Sequence, residues 1–183
     1  LVIETKDQLI VVDTCVGNEK ERMPYKAWHH LQTTFLADFA RAGFDPAAVD
    51  CVLCTHLHVD HVGWNTRLEN GRWVPTFPNA RYLISRKELD VFTSVEDPAA
   101  QPSLDDSVLP IVESGQAELI TSDYQLDDEV FLEPTPGHTP DHFAVRLKSG
   151  SHHGVIAGDL MHSPVQCLHP QWRARPDFDP AQA

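Results

Sequence analysis

The segment Thr55-His56-Leu57-His58-Val59-Asp60-His61 places three imidazoles and a carboxylate within six consecutive positions, straight after the apolar run Val49 to Cys54. Imidazole and carboxylate suit zinc, and manganese, iron or cobalt can occupy the same kind of site. His56 and His58 are two apart, so on an extended backbone they point to the same side. Asp60 and His61 follow where the chain is expected to turn into a helix, which aims a second ligand pair at a neighbouring point. The pattern suits two metal ions side by side.

Two later segments offer partners. Pro134-Thr135-Pro136-Gly137-His138-Thr139-Pro140 follows a strand, and its prolines and glycine make a stiff turn that holds His138 in place before an ion arrives. Gly158-Asp159 follows the apolar strand Val155-Ile156-Ala157. A carboxylate just past a strand end can bridge two cations with its two oxygens. His29-His30 and His152-His153 read as solvated pairs in helix and turn contexts. There is no Gly-x-Ser-x-Gly elbow, and no glycine loop of Rossmann or P-loop type follows a strand.

These loops need a scaffold. Val2 to Ile3 and Leu9 to Val12 predict a hairpin, and Asn70-Gly71 between Arg67-Leu68 and Trp73-Val74 predicts another. Leu31, Phe35, Phe39 and Ala42 predict a helix over 27–42, ending before Gly43. Ser85 caps a second helix running to about Phe92, Val95 to Asp106 reads as loop, and Ser107 to Val112 as helical. Strands are expected at Val49 to Cys54, Ala80 to Ile84, Ala117 to Ile120, Val130 to Leu132, Phe143 to Leu147 and Val155 to Ala157.

The chain has 183 residues with 42% hydrophobic content and a net charge of −13. That charge argues against a nucleic-acid backbone or an anionic membrane as partner, and no apolar run is long enough to span a bilayer. Cys15, Cys51, Cys54 and Cys167 read as buried or semi-buried free thiols, which favours a reducing, cytoplasmic setting. Cys51 and Cys54 face opposite sides of a strand, so they do not grip one metal. Leu1 already reads as strand and Arg175 to Pro180 as a loop leading elsewhere, so the chain is expected to be a fragment.

Thr55 to His61, then Pro136-Gly137-His138-Thr139-Pro140, then Gly158-Asp159, in that order, resemble the metallo-β-lactamase superfamily. Asp13-Thr14 resembles its early aspartate turn. His58-Val59-Asp60-His61-Val62-Gly63-Trp64-Asn65 and Gly158-Asp159-Leu160-Met161-His162 look like the branch of N-acyl-homoserine lactonases and methyl parathion type hydrolases.

The resemblance implies an α/β fold, an αβ/βα sandwich of two mainly antiparallel sheets flanked by helices. It implies one domain over 1–183, truncated and lacking its C-terminal part. By the same resemblance His56, His58 and His138 hold one metal, Asp60 and His61 the second, and Asp159 bridges. The family's last histidine ligand, well after the bridging aspartate, is not found; His162 and His169 come too soon. The implied function is a dinuclear hydrolase, with zinc foremost, opening a small-molecule lactone or ester through a metal-bridging hydroxide. A phosphotriesterase or arylesterase on the same centre and a non-catalytic metal-binding domain are the alternatives. Asp60 is either a ligand only or also a proton carrier. His162 stands where such lactonases often carry a carbonyl-binding tyrosine, and either donates that bond or lines the pocket. Trp64, Trp73, Phe77, Met161 and Trp172 are the candidate pocket walls, Trp64 foremost.

Overall fold

A computed structural model of the chain describes residues 1–94 and 101–183. The described strands are β1 (Val2–Glu4), β2 (Leu9–Val12), β3 (Cys51–Leu53), β4 (Thr66–Glu69), β5 (Arg72–Pro75), β6 (Arg81–Ser85), β7 (Ala117–Ile120), β8 (Val130–Pro134), β9 (Phe143–Ser149) and β10 (His152–Ile156). One sheet has the order β1-β2-β3-β6-β7, a second β10-β9-β8, and β4 pairs only with β5. Both predicted hairpins form. Asn70 and Gly71 turn the second at φ of 52° and 77°, the left-handed pair that a tight hairpin requires.

Alternation along the strands of the larger sheet separates two cores. Ile10, Val12, Cys51, Leu53, Leu83 and Ile120 face Val130, Leu132, Phe143 and Val145 of the smaller sheet. Val11, Val52, Tyr82 and Ile84 face the other way, against Phe39, Leu104, Val108 and Ile111. The first helix, α1 (Phe35–Arg41), and the second, α2 (Arg86–Ser94), lie on this side with the run from Gln101–Ser103 through a π-helical stretch, Leu104–Val108, into Leu109–Glu113. The result is a mixed α/β sandwich. Among the described residues no helix is long and apolar enough to cross a membrane.

Several details differ from the sequence reading. Of the two packed sheets the smaller is wholly antiparallel, whereas in the larger β2-β3, β3-β6 and β6-β7 pair in parallel. Short apolar runs carry no signal of strand direction, whereas the crossovers over 13–50, 54–80 and 86–116 are long enough to return the chain to the same end. The helix expected over 27–42 is confined to Phe35–Arg41. Residues 19–31 instead close into a loop, with Glu19 N–H donating to Leu31 O at 3.0 Å and His30 N–H to Lys20 O at 2.8 Å. Of the expected loop Val95 to Asp106, residues 95–100 lie outside the described residues, and 101–106 are helical. All four cysteines are free and Cys51 and Cys54 join opposite cores, but Cys15 and Cys167 are exposed.

Candidate metal centre

The strand directions bring four loops to one edge. β2 and β3 run in parallel, and β8 and β10 both run antiparallel to β9. Their C-terminal ends carry Asp13, the segment from Thr55, the turn with His138, and Asp159 respectively. A backbone bond from Phe143 N–H to Thr55 O, 3.2 Å, ties the two sheets together there. Asp60 and His61 lie in a turn rather than a helix, and only one 3-10 turn, Gly63–Asn65, follows.

His56 Nε2 lies 3.0 Å from His58 Nδ1, which lies 2.9 Å from His138 Nε2. Asp159 reaches across the cluster. Its Oδ1 is 3.4 Å from His61 Nε2, and its Oδ2 is 3.3 Å from His138 Nε2 and 4.0 Å from His56 Nε2. Single donor atoms of His56, His58 and His138 lie within 4.8 Å of one another, as do those of His56, His61 and Asp159, and those of His138, Asp159 and His162. Asp60 joins none of these groups. Its Oδ2 is 3.7 Å from His61 Nε2, at the rim.

Outer partners fix the rings. The Thr55 hydroxyl gives its one proton to Asp13, so its oxygen accepts from His56 Nδ1–H at 3.1 Å. The His56 Nε2 lone pair is thereby turned inward. His61 Nδ1–H donates to Asp13 Oδ2 and His138 Nδ1–H to Asp177 Oδ1, each at 2.9 Å. Such outer bonds set the tautomer and raise the basicity of a ligating imidazole. The lone pair of His142 Nε2 accepts from Asp159 N–H at 3.0 Å, and its Nδ1–H donates to Thr135 Oγ1 at 2.8 Å. His142 therefore seats the aspartate without offering a donor atom to the cluster. Gly158 permits this approach, since it has φ of 54° and a Cβ there would sit 2.6 Å from His142 Nε2.

The electrostatics divide the histidines. Burial, then the neighbouring imidazoles, pushes His56 well below the usual range and His58 down to about 3, and burial with His138 pushes His142 down to about 4. Burial also opposes charge on His61 and His138, but bonds to carboxylates override it. Asp13 and Asp159 hold His61 up at about 10, and Asp159 and Asp177 raise His138. Asp159, despite its burial, is held well below the carboxylate range by His138 and His61. Imidazoles turned onto a common point beside an ionised carboxylate, His56 and His58 already neutral and His61 once its extra proton has left, fit a borderline divalent cation.

A proton balance follows. At pH 8 the ion-free chain holds a proton on His61 Nε2 as well as on Nδ1, and the Nε2 lone pair becomes a donor only when that proton leaves. Adding zinc in weak buffer at pH 8 is expected to release roughly one proton per chain, read by an indicator dye. Uptake without release contradicts this donor assignment.

Beside the cluster lies a cavity of about 710 Å³ lined by Tyr25, Trp28, Leu57, Phe92, His58, Asp60, His138, Asp159, His162 and Arg175 among others. None of the five expected wall residues lines it. Trp64 stacks on Phe35 at 5.0 Å, Phe77 is fully buried, Trp73 lies under Lys20 Nζ at 3.8 Å, Trp172 stacks on His169 at 4.6 Å, and Met161 is exposed. These residues fill the core, pack beneath a buried cation or sit at the surface; the aromatic wall comes from the 19–31 loop and α2. The sequence reading also missed His142 and Asp177. His142 stands four residues past His138, two beyond the end of that stiff segment, a signal that was available; Asp177 carries none.

The metallo-beta-lactamase superfamily model matches residues 1–174. N-acyl homoserine lactonase of Bacillus cereus is 26% identical over 167 residues, covering 81% of this chain and 57% of that protein. A second N-acyl homoserine lactonase, from a Bacillus sp, is 28% identical over 109 residues, 60% of this chain and 37% of its own length. The chain thus spans between 37% and 57% of these relatives. A Staphylococcus aureus structural-genomics target superposes with a TM-score of 0.83 at 21% identity, covering 99% of this chain and 64% of that one. A dizinc quorum-quenching lactonase in complex with a product superposes at 0.76 with 23% identity, covering 99% and 63%. At these identities the superpositions speak for the fold.

Proposed function

This chain belongs to the metallo-β-lactamase superfamily, and from that premise we propose that it is a dinuclear metal-dependent hydrolase opening a lactone or related ester. One observation carries the reading. Asp159 turns one oxygen toward His61 and the other toward His56 and His138, so a single carboxylate serves two donor groups. The relatives named as N-acyl homoserine lactonases support the substrate class.

His56, His58 and His138 would hold one ion, His61 with Asp60 the other, and Asp159 both. When bound, such ions lower the pKa of water and polarise a carbonyl, with zinc the best match to this donor set. The chain's own groups do the rest. Asp60 lines the cavity at the rim, where a carboxylate can accept the proton of the attacking water and return it to the departing alkoxide. Tyr25, Trp28, Leu57 and Phe92 supply an apolar wall that orients the substrate and excludes water. His162, whose Nε2 is 3.2 Å from Asp159 Oδ2, faces the same cavity and can donate to the substrate carbonyl.

The aromatic wall also favours a second reading, an arylesterase or phosphotriesterase, because flat leaving groups stack on Tyr25, Trp28 and Phe92. Steady-state hydrolysis of lactones, aryl esters and phosphotriesters by the zinc-loaded chain, with ions per chain counted, tests all of these. Turnover of lactones with two ions supports the first reading, and preference for aryl substrates the second. Tight ions without turnover leave a metal-binding domain. His162→Phe is expected to slow lactone opening about 10²-fold, as loss of one carbonyl donor does, at constant ion content. A matching loss of ions would make His162 a ligand instead.

A further inference from the structure

We propose that Glu21, His29 and His30 form a separate, shallow site for a zinc-class divalent cation at the neck of the loop whose tip walls the cavity. One donor atom from each lies within 4.8 Å of the others. Glu21 spans the pair, with Oε1 3.1 Å from His29 Nδ1 and Oε2 3.9 Å from His30 Nε2. His30 Nδ1–H donates to the Glu19 carbonyl at 3.2 Å, which leaves the Nε2 lone pair toward the carboxylate. His29 Nδ1, 3.1 Å from Glu21 Oε1, has its one lone pair engaged by Arg22 N–H at 3.2 Å, a long bond that an entering ion would replace. A carboxylate and two imidazoles converging on one point call for positive charge between them, and two nitrogens with one carboxylate suit a borderline cation.

The donors are positioned in advance. Glu19 and His30 both take left-handed φ, 64° and 50°, which non-glycine residues rarely adopt. That backbone brings the two imidazole rings to 4.1 Å. The neck is shut by the backbone bonds between residues 19 and 31 and between 30 and 20. Lys20 and Arg22, both buried, anchor its first limb to Asp106. Glu21 and His30 remain accessible, at 57% and 58% side-chain exposure, so an ion can enter from solvent. Trp28 adjoins His29 and its ring pairs with Tyr25 at 5.2 Å, both on the cavity wall. An ion at the neck therefore braces the surface that a substrate meets. This site uses none of the residues of the deep centre and stands whether or not the chain is a hydrolase.

Equilibrium dialysis of the full chain against zinc, with ions counted, provides the test. The unaltered chain is expected to bind one ion more than His30→Gly or Glu21→Gln, and that ion should be the most weakly held. Glycine suits the left-handed position, so His30→Gly removes the donor without straining the fold. Zinc beyond saturation of the deep centre should raise Tm in the unaltered chain and not in His30→Gly. Equal ion counts in the unaltered chain and both variants overturn the proposal. A loss of more than one ion also overturns it, since the residues would then be acting through the deep centre.

Discussion

Replacing Asp159 by asparagine is expected to remove one ion from each chain and to lower hydrolysis by more than the roughly 10–100-fold that loss of an outer partner costs. The reason is charge as well as ligation. Asp159 is the carboxylate that His56, His61, His138 and His162 all approach within 4.0 Å. Four imidazoles around a neutral amide would leave two adjacent cations facing each other with no anion between them. Asp13 and Asp177 remain on the far nitrogens of His61 and His138, so the rings stay held while the centre loses its shared ligand. Zinc per chain by elemental analysis, beside kcat on the best ester, reads the effect. Two retained ions with near-normal kcat would show that Asp159 does not bridge.

The donors were legible because their signal is local. His56, His58 and His61 fall in one short segment after an apolar strand, and His138 and Asp159 stand in turns marked by proline and glycine. What positions them was less legible. Asp177 acts on His138 across 39 positions, from a segment whose composition reads as loop. Asp13 reads as a turn residue, and only the folded chain shows its carboxylate serving both Thr55 and His61. Strand direction was invisible for a related reason. Alternation identifies Val11, Val52 and Tyr82 as one face of a sheet and is the same for parallel and antiparallel neighbours. The cavity wall was misplaced because large aromatics near a motif in sequence, such as Trp64, were needed in the core, while Tyr25 and Trp28 arrive on a loop that propensity reads as partly helical.

That loop depends on a buried cluster of charge, and Asp106→Ala is expected to destabilise the fold by roughly 3–5 kcal/mol, the cost of stranding buried charges. Lys20 and Arg22 are essentially inaccessible and share this one carboxylate. Arg22 takes it in two bonds, at 2.7 and 2.9 Å. Lys20 has a longer contact of 3.3 Å, with Thr66 Oγ1 at 2.7 Å and the Trp73 ring beneath it. Two cations against one anion leave Lys20 the less well compensated, and burial pushes it down to about 8 despite Asp106. The unfolded chain then binds the Lys20 proton more readily than the folded one, so stability should rise with pH between about 8 and 10.5. Lys20→Met should abolish that rise and cost little, because an apolar side chain can replace a poorly compensated buried cation. Urea unfolding at pH 8 and pH 10 separates the two variants. A wild-type-like midpoint for Asp106→Ala would mean that water reaches both cations and that the 19–31 loop is held by its backbone bonds alone.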